Sequence, residues 1–516
     1  MSSVFEITLE KLTYGGEALG RLPDGRAVFV PFGLPGETAR IRLTQEKQNF
    51  ARGEILEILK PSPDRIPAKC KHFTQCGGCH YQNLPYEKQL LAKADILRDQ
   101  LQRIGKIENP PVQPTVASPN EWNYRNHVQF HLTDDGKVGF INAGGNATLA
   151  IEECHLPEDA INALRADLQF ESRLNLERVS LRSGVNDDLM LILESETAET
   201  PELEIEADVS IVHIYEDHPV VIAGSDALTI QVLGADFRVS APSFFQVNTK
   251  MAEKMVEYLM TNLPTTNQPT TLLDLYCGAG LFSKFLADKF AKVIGVESSP
   301  SACEDFAVNL DEFDNVELYQ GAVEEIIPAL VGRIANPTYI IADPPRAGID
   351  KRALDAILQI NPQIIAYVSC ATHPRRIRAQ TGRALRPLPA DVSHRVHFDL
   401  RALTCSSRLA IPRSSSNSAT KLTPPSTPAF TRWTRFCKPS PPSSKPSPLI
   451  AQSWSVMIRL SQPTTRLKTS LRKKHPFWMM RLTGLSAASR FPSSMAAHPA
   501  RTSNLLRQPY PYPPLS

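Results

Sequence analysis

The chain has 516 residues, 42% of them hydrophobic and 21% charged, with a net charge of +2. That length suits several domains. No run of 18 apolar residues is present to cross a bilayer, and the opening Met1-Ser2-Ser3-Val4-Phe5 lacks the basic-then-apolar pattern of a secretory signal. The near-neutral average conceals two unlike parts. Residues 371–516 hold 24 of the 56 Lys and Arg but only 2 of the 54 Asp and Glu. That leaves 32 cations against 52 anions before them, a net of −20 followed by a net of +22.

Taken in order, residues 1–60 show short period-two runs, among them Phe5–Leu9, Ala27–Val30, Thr38–Leu43 and Gly53–Leu59. Gly15-Gly16 and Pro35-Gly36 punctuate them. This pattern predicts a small β-barrel, and Pro61-Ser62-Pro63-Asp64 reads as the linker after it. Leu90, Leu91, Ala94, Leu97, Leu101 and Ile104 recur at helical spacing, which predicts a helix over 84–104. Strand-like runs then return at His127–Leu132 and Met190–Leu193. Beyond Ala241, short apolar strands (Thr271–Leu275, Lys292–Val296, Tyr339–Ala342, Ile364–Val368) alternate with helical stretches, as in a doubly wound parallel sheet. The domains read as 1–60, 61–240, 241–370 and a basic Pro/Ser-rich tail, 371–516, expected to be disordered.

Four strand ends carry chemistry. Asp274-Leu275-Tyr276-Cys277-Gly278-Ala279-Gly280 is a glycine-rich turn between a buried strand and a helix, suited to close approach by a ligand. The next strand ends in Glu297, an acid able to accept hydrogen bonds from two ribose hydroxyls. S-adenosylmethionine and a dinucleotide both satisfy this pair. Asp343-Pro344-Pro345 at a later strand end, a stiffened loop at the ligand-binding edge of an open sheet, favours S-adenosylmethionine. The strand after it ends in Cys370, well placed for covalent chemistry. A thiolate adding to C6 of uracil makes C5 enolate-like and able to take a methyl group.

Ser243-Phe244-Phe245-Gln246-Val247-Asn248, the turn at Asp274–Gly280, Asp343–Gly348 and Tyr367-Val368-Ser369-Cys370 resemble the RNA uracil-5-methyltransferase family, over residues 1–370. The resemblance is to its 23S ribosomal RNA branch, which has an OB-like TRAM barrel and a [4Fe-4S] cluster. It implies an α/β protein: the barrel, an α+β central domain holding the cluster, and a Rossmann-like methyltransferase domain. By the same resemblance, Gln246, Tyr276, Glu297 and Asp343 line the S-adenosylmethionine site and Cys370 is the nucleophile. Leu281 stands where family members often carry Asn.

Cys70, Cys76, Cys79 and Cys154 form a four-thiolate set whose spacing suits zinc and an iron–sulfur cluster equally. The resemblance selects the cluster. Nine cysteines in a signal-free chain speak for thiolate chemistry in a cytoplasmic protein, not for disulfides. Ribosomal RNA is the expected partner, with Lys47, Arg52, Lys69, Lys71, His72 and Asn123–His127 as local contacts for a single-stranded or extruded base. No membrane contact is expected, and the protein should be a monomer.

The family continues beyond the nucleophile with a segment bearing a glutamate, the base that removes the C5 proton. Here no glutamate follows Cys370 at all. The change in charge and proline content begins at the same place, as an off-frame reading would produce. Arg401–Arg408 can be back-translated so that another frame resembles the missing segment. A genuine basic tail that binds RNA is the alternative.

Overall fold

The computed structural model describes residues 3–170, 175–199, 208–263, 268–334 and 338–369, together with two strands at 454–458 and 469–473. Strands β1 (Val4–Leu12), β2 (Glu17–Arg21), β3 (Ala27–Pro31), β4 (Thr38–Glu46) and β5 (Phe50–Lys60) close a barrel in the order β1-β2-β3-β5-β4. Alternation sends Ile7, Leu9, Val28, Val30, Ala39 and Ile41 inward to fill it. The sequence reading missed β2, because Glu-Ala-Leu-Gly-Arg has no apolar period.

The barrel is fastened to the cysteine-bearing segment C-terminal to it. Glu37 is fully buried and accepts hydrogen bonds from Leu34 N, Ser62 N and both Nε and Nη2 of Arg65. Asn83 Nδ2 and Arg65 Nη2 both donate to Phe32 O. Gly16, at φ +82°, sits so close to the cysteine loop that a Cβ there would lie 2.5 Å from His80 Cβ.

After helix α1 (Tyr86–Arg103) come β6 (His127–Leu132), β7 (Val138–Ile141), β8 (Thr148–Ala150), α2 (Asp159–Asp167), β9 (Leu168–Phe170) and β10 (Leu176–Ser183). Next are β11 (Leu189–Ser195), β12 (Ser210–Tyr215) and β13 (His218–Ala223). All but β9 form one sheet in the order β13-β12-β11-β10-β6-β7-β8, antiparallel except for β11 with β12. The hairpin β14 (Ala227–Val232) and β15 (Ala235–Ser240) buries Ile230, Val232, Phe237 and Val239 in the core of the next unit. That core therefore begins upstream of the 241 boundary read from the sequence.

The last unit runs α3 (Thr249–Asn262), β16 (Thr271–Leu275), α4 (Leu281–Leu286), β17 (Lys292–Glu297), α5 (Pro300–Asn309) and β18 (Val316–Gln320). It ends with α6 (Val323–Leu330), β19 (Thr338–Ala342), α7 (Lys351–Ile360) and β20 (Ile364–Tyr367). Its sheet is wholly parallel, ordered β18-β17-β16-β19-β20. Every residue of β16 and β19 is buried, because cores lie on both faces. Asn248 caps α3, accepting from Met251 N at 3.0 Å, and Ser299 caps α5 with Pro300 in its first turn.

Two pieces of the basic tail, β21 (Trp454–Ile458) and β22 (Thr469–Lys473), form a hairpin that pairs with β9. The sequence reading expected no structure there. Trp-Ser-Val-Met-Ile has the apolar, β-branched character of a strand despite its surroundings. The remainder of that tail, for which disorder and an off-frame origin were expected, lies outside the described residues. Among the described residues, no helix is long and apolar enough to cross a membrane.

Candidate active site

The turn after β16 reverses sharply: Tyr276 has φ +61° and Gly280 φ +89°. A Cβ on Gly280 would lie 2.3 Å from Leu310 Cδ1, so this position admits only glycine without rearrangement. Glu297 at the end of β17 is fixed by three backbone donors: Gly278 N at 3.0 Å, Ser298 N at 2.7 Å and Ser299 N at 2.8 Å. Its carboxylate is thereby aimed across the glycine turn. At the end of β19, Asp343 accepts a hydrogen bond from Gln246 Nε2 at 3.2 Å. Tyr276, Glu297, Asp343 and Gln246 line one cleft of about 2720 Å³ between the central and catalytic units. Leu281 is buried in the core and contributes no polar group to it.

Burial pushes the Asp343 carboxyl up to about 6, against the opposing pull of the Gln246 hydrogen bond. Asp274, beneath the turn, is pushed up to about 7, first by burial and then by repulsion from Asp343 and Glu297. Ser283 Oγ donates to its Oδ2 at 2.7 Å, while Oδ1 has no partner among the described residues. Burial also raises the Tyr276 phenol well above its ordinary range.

The segment carrying Gln246 is held by the central sheet. Asn126 Nδ2 donates to Gln246 O at 3.1 Å and to Thr249 Oγ1 at 2.8 Å, and Asn126 N donates to Val247 O. Arg182 on β10, fully buried, donates to Ser240 O at 2.7 Å and Ser243 O at 2.6 Å. Ser240 is gripped from its other side by the buried Asp305, which also receives Arg238. Sequence reasoning missed Arg182 altogether, since one arginine in a strand carries no signal of burial. It read Asn126 as an RNA contact, whereas the side chain is an internal brace. Phe244, next to the buried Phe245, is 66% exposed in the cleft.

Cys370 lies outside the described residues. Val368 N donates to Ala342 O at 2.8 Å, so the chain approaches it alongside the residue preceding Asp343.

Cys70, Cys76, Cys79 and Cys154 are all half-buried and unlinked by disulfides. Burial raises all four thiols, to about 11 for Cys76 and about 12 for Cys154, and the thiols act electrostatically on one another across the set. Among the described residues, no three His, Cys, Asp or Glu groups are gathered tightly enough to hold one metal ion. A tetrahedral zinc site needs sulfurs about 3.8 Å apart, from bonds near 2.3 Å. The all-thiol donor set suits zinc and a multi-iron cluster alike.

Of the expected RNA contacts, Arg52 is paired with Glu17 and Lys71 with Glu152, while His72 Nε2 accepts from Glu152 N. Lys69 lies 5.0 Å from the centre of the Trp122 ring, a cation–π arrangement.

A parallel sheet with a glycine turn ending its first strand, an acid ending the second and Asp-Pro-Pro ending the fourth defines a Rossmann-type methyltransferase that uses S-adenosylmethionine. Residues 224–381 match the tRNA (uracil-5-)-methyltransferase family and residues 2–56 the TRAM domain. An uncharacterized RNA methyltransferase of Bacillus cereus is 33% identical over 406 residues, covering 71% of this chain and 87% of that protein. One from Aquifex aeolicus is 31% identical over 388 residues, covering 71% and 88%. The structure of a Pyrococcus abyssi tRNA (uracil-54, C5)-methyltransferase in complex with S-adenosyl-L-homocysteine shares the fold. Its TM-score is 0.56 at 21% identity, over 73% of this chain and 92% of that one. The chain belongs to the RNA uracil-5-methyltransferase family.

Proposed function

We propose that the protein methylates C5 of a uridine in 23S ribosomal RNA through a covalent adduct between Cys370 and C6. The observation that carries this reading is the convergence of Gln246, Tyr276, Glu297 and Asp343 on one cleft, beside the strand that leads to Cys370. S-adenosylmethionine supplies the methyl group. Glu297, its carboxylate already oriented, receives the ribose hydroxyls. The Cys370 thiolate adds to C6, the resulting enolate-like C5 takes the methyl group, and loss of the C5 proton then allows the thiolate to leave as the C5–C6 double bond re-forms. Because no glutamate follows Cys370, the chain as written lacks the family's base for that proton and should stall as the methylated adduct. We assign a [4Fe-4S] cluster to Cys70, Cys76, Cys79 and Cys154, with a structural and RNA-positioning role. The protein acts as a cytoplasmic monomer in this reading.

A transfer RNA substrate is the second reading, favoured by the name of the matching family and by the substrate of the Pyrococcus abyssi enzyme. The test is to mix the protein with S-adenosylmethionine and either a 23S fragment or transfer RNA, then run a denaturing gel. A slow band with the 23S fragment that vanishes in Cys370→Ala is expected. A band with transfer RNA alone moves the substrate, and multiple turnover by the chain as written means that another residue supplies the base.

A further inference from the structure

Register gives the central sheet two unlike faces. Opposite β10, Val179 faces Phe130 and Leu181 faces Val128, and these four lie in the apolar core that includes Ile161 and Leu164 of α2. The reverse face carries Arg182 opposite His127 and Ser180 opposite Gln129. Along β11 and β12 that face is covered, because Met190, Ile192, Val212 and Ile214 pack with Leu228 and Ala241. Along β6 it opens instead into the cleft that holds Gln246 and Asp343.

His127 is only 4% exposed, yet its Nε2 has no hydrogen-bond partner among the described residues, and neither has Nε2 of Gln129. Buried polar atoms are nearly always paired, so two adjacent exceptions lining one cleft point to a ligand that pairs them. We propose that His127 and Gln129 read the edge of an RNA base beside the methylated uridine, from the central-sheet wall of the same cleft. The inference rests on the RNA methyltransferase reading above.

The chemistry favours a base over a phosphate. Burial, and then the charges of Arg182 and Arg125, hold His127 well below its ordinary range and therefore neutral. A neutral imidazole and a primary amide each offer a donor and an acceptor, which matches the mixed pattern of a base edge better than an anion. Small-molecule sites occupy about 300–1,000 Å³, so a cleft of about 2720 Å³ has room for nucleotides beside the adenosyl group. Arg182, directly across from His127, is bonded to Ser240 O and Ser243 O just ahead of Gln246. The reading pair and Gln246 are thus mounted on one brace.

The test uses the full chain, S-adenosylhomocysteine and short single-stranded RNAs with one central uridine and each of the four bases at either flank, read by fluorescence anisotropy. The parent should prefer one base at one flank by about tenfold, the scale of a good base contact. Gln129→Ala and His127→Ala should cut that preference below about threefold by weakening the preferred RNA alone. Gln129→Glu, which exchanges a donor for an acceptor, should change which base is preferred, an effect that loosened packing cannot produce. A parent with no flank preference, a preference unchanged in the variants, or equal weakening of all RNAs would each overturn the inference. If His127→Ala fails to fold by circular dichroism, the two Gln129 variants decide. Binding that requires the uridine but ignores these variants sinks this inference alone. Binding indifferent to the uridine, with no affinity for S-adenosylhomocysteine, sinks the methyltransferase reading.

Discussion

Gln246 and Asp343, 97 positions apart in sequence, meet at 3.2 Å in the wall of the cleft. One is carried on the segment braced by the central sheet and the other on the end of β19, so the contact ties that braced segment to the site of chemistry. Gln246→Ala would leave a carboxyl already pushed up to about 6 without its side-chain donor. Such a hydrogen bond to a charged group contributes about 1.5–3 kcal/mol. The Asp343 titration, followed by NMR, should move upward in this variant; an unchanged midpoint would mean that the contact does not exist in solution.

Stability should depend on pH through Asp274. Its carboxyl is raised in the fold from 3.8 to about 7. A raised acid favours the protonated form, so its penalty is absent below pH 3.8 and grows as pH rises towards 7. Asp274→Asn cannot ionise. Its urea midpoint should draw ahead of the parent's between about pH 4 and 8, by on the order of 2–4 kcal/mol at the upper end. A gap independent of pH would refute the shift.

Glu297→Ala should weaken S-adenosylhomocysteine binding by about 1.5–3 kcal/mol, the scale for losing a charged acceptor. It also frees three backbone donors, at Gly278, Ser298 and Ser299, so some loss of thermal stability should accompany it. Unchanged calorimetric affinity would show that Glu297 does not meet the ligand.

Arg182→Met should cost about 2–5 kcal/mol in urea unfolding, because it removes a buried charged donor from Ser240 O, which keeps Ser243 N, and from Ser243 O. A surface arginine would cost less than about 0.5 kcal/mol, and that outcome would place the side chain in solvent.

Purified without oxygen, the protein should be brown and carry about four irons per chain, and Cys76→Ser should bleach it. Stoichiometric zinc without iron, by elemental analysis, would overturn the cluster assignment.

The parts of the site legible in the sequence are those that local chemistry marks. A glycine turn, an acid at a strand end and a Pro-Pro pair each announce themselves within a few residues, and the structure gathers Tyr276, Glu297 and Asp343 on one cleft. The barrel showed through its alternation, except at β2, where a short run ending near Gly20 has none. What stayed hidden depends on pairing between distant strands. Arg182 looks like any exposed arginine until register sets it against His127. The β14–β15 hairpin looks like the end of one domain until its side chains are seen in the core of the next. Val456 pairing with Leu168 joins segments nearly three hundred residues apart, and no local pattern encodes that.

The clasp of Glu37 by Arg65, with Gly16 pressed against His80, bears on how a long substrate is measured. A module on a slack tether grips whatever lies within its radius, and its partner's shape matters little. A barrel seated this firmly behaves as one jaw of a caliper whose other jaw is the cleft. An RNA able to touch both must fold so that the gripped segment and the target uridine stand a fixed distance apart. Under the proposed function, discrimination among uridines then lies partly in the three-dimensional shape of the RNA, before any base is read.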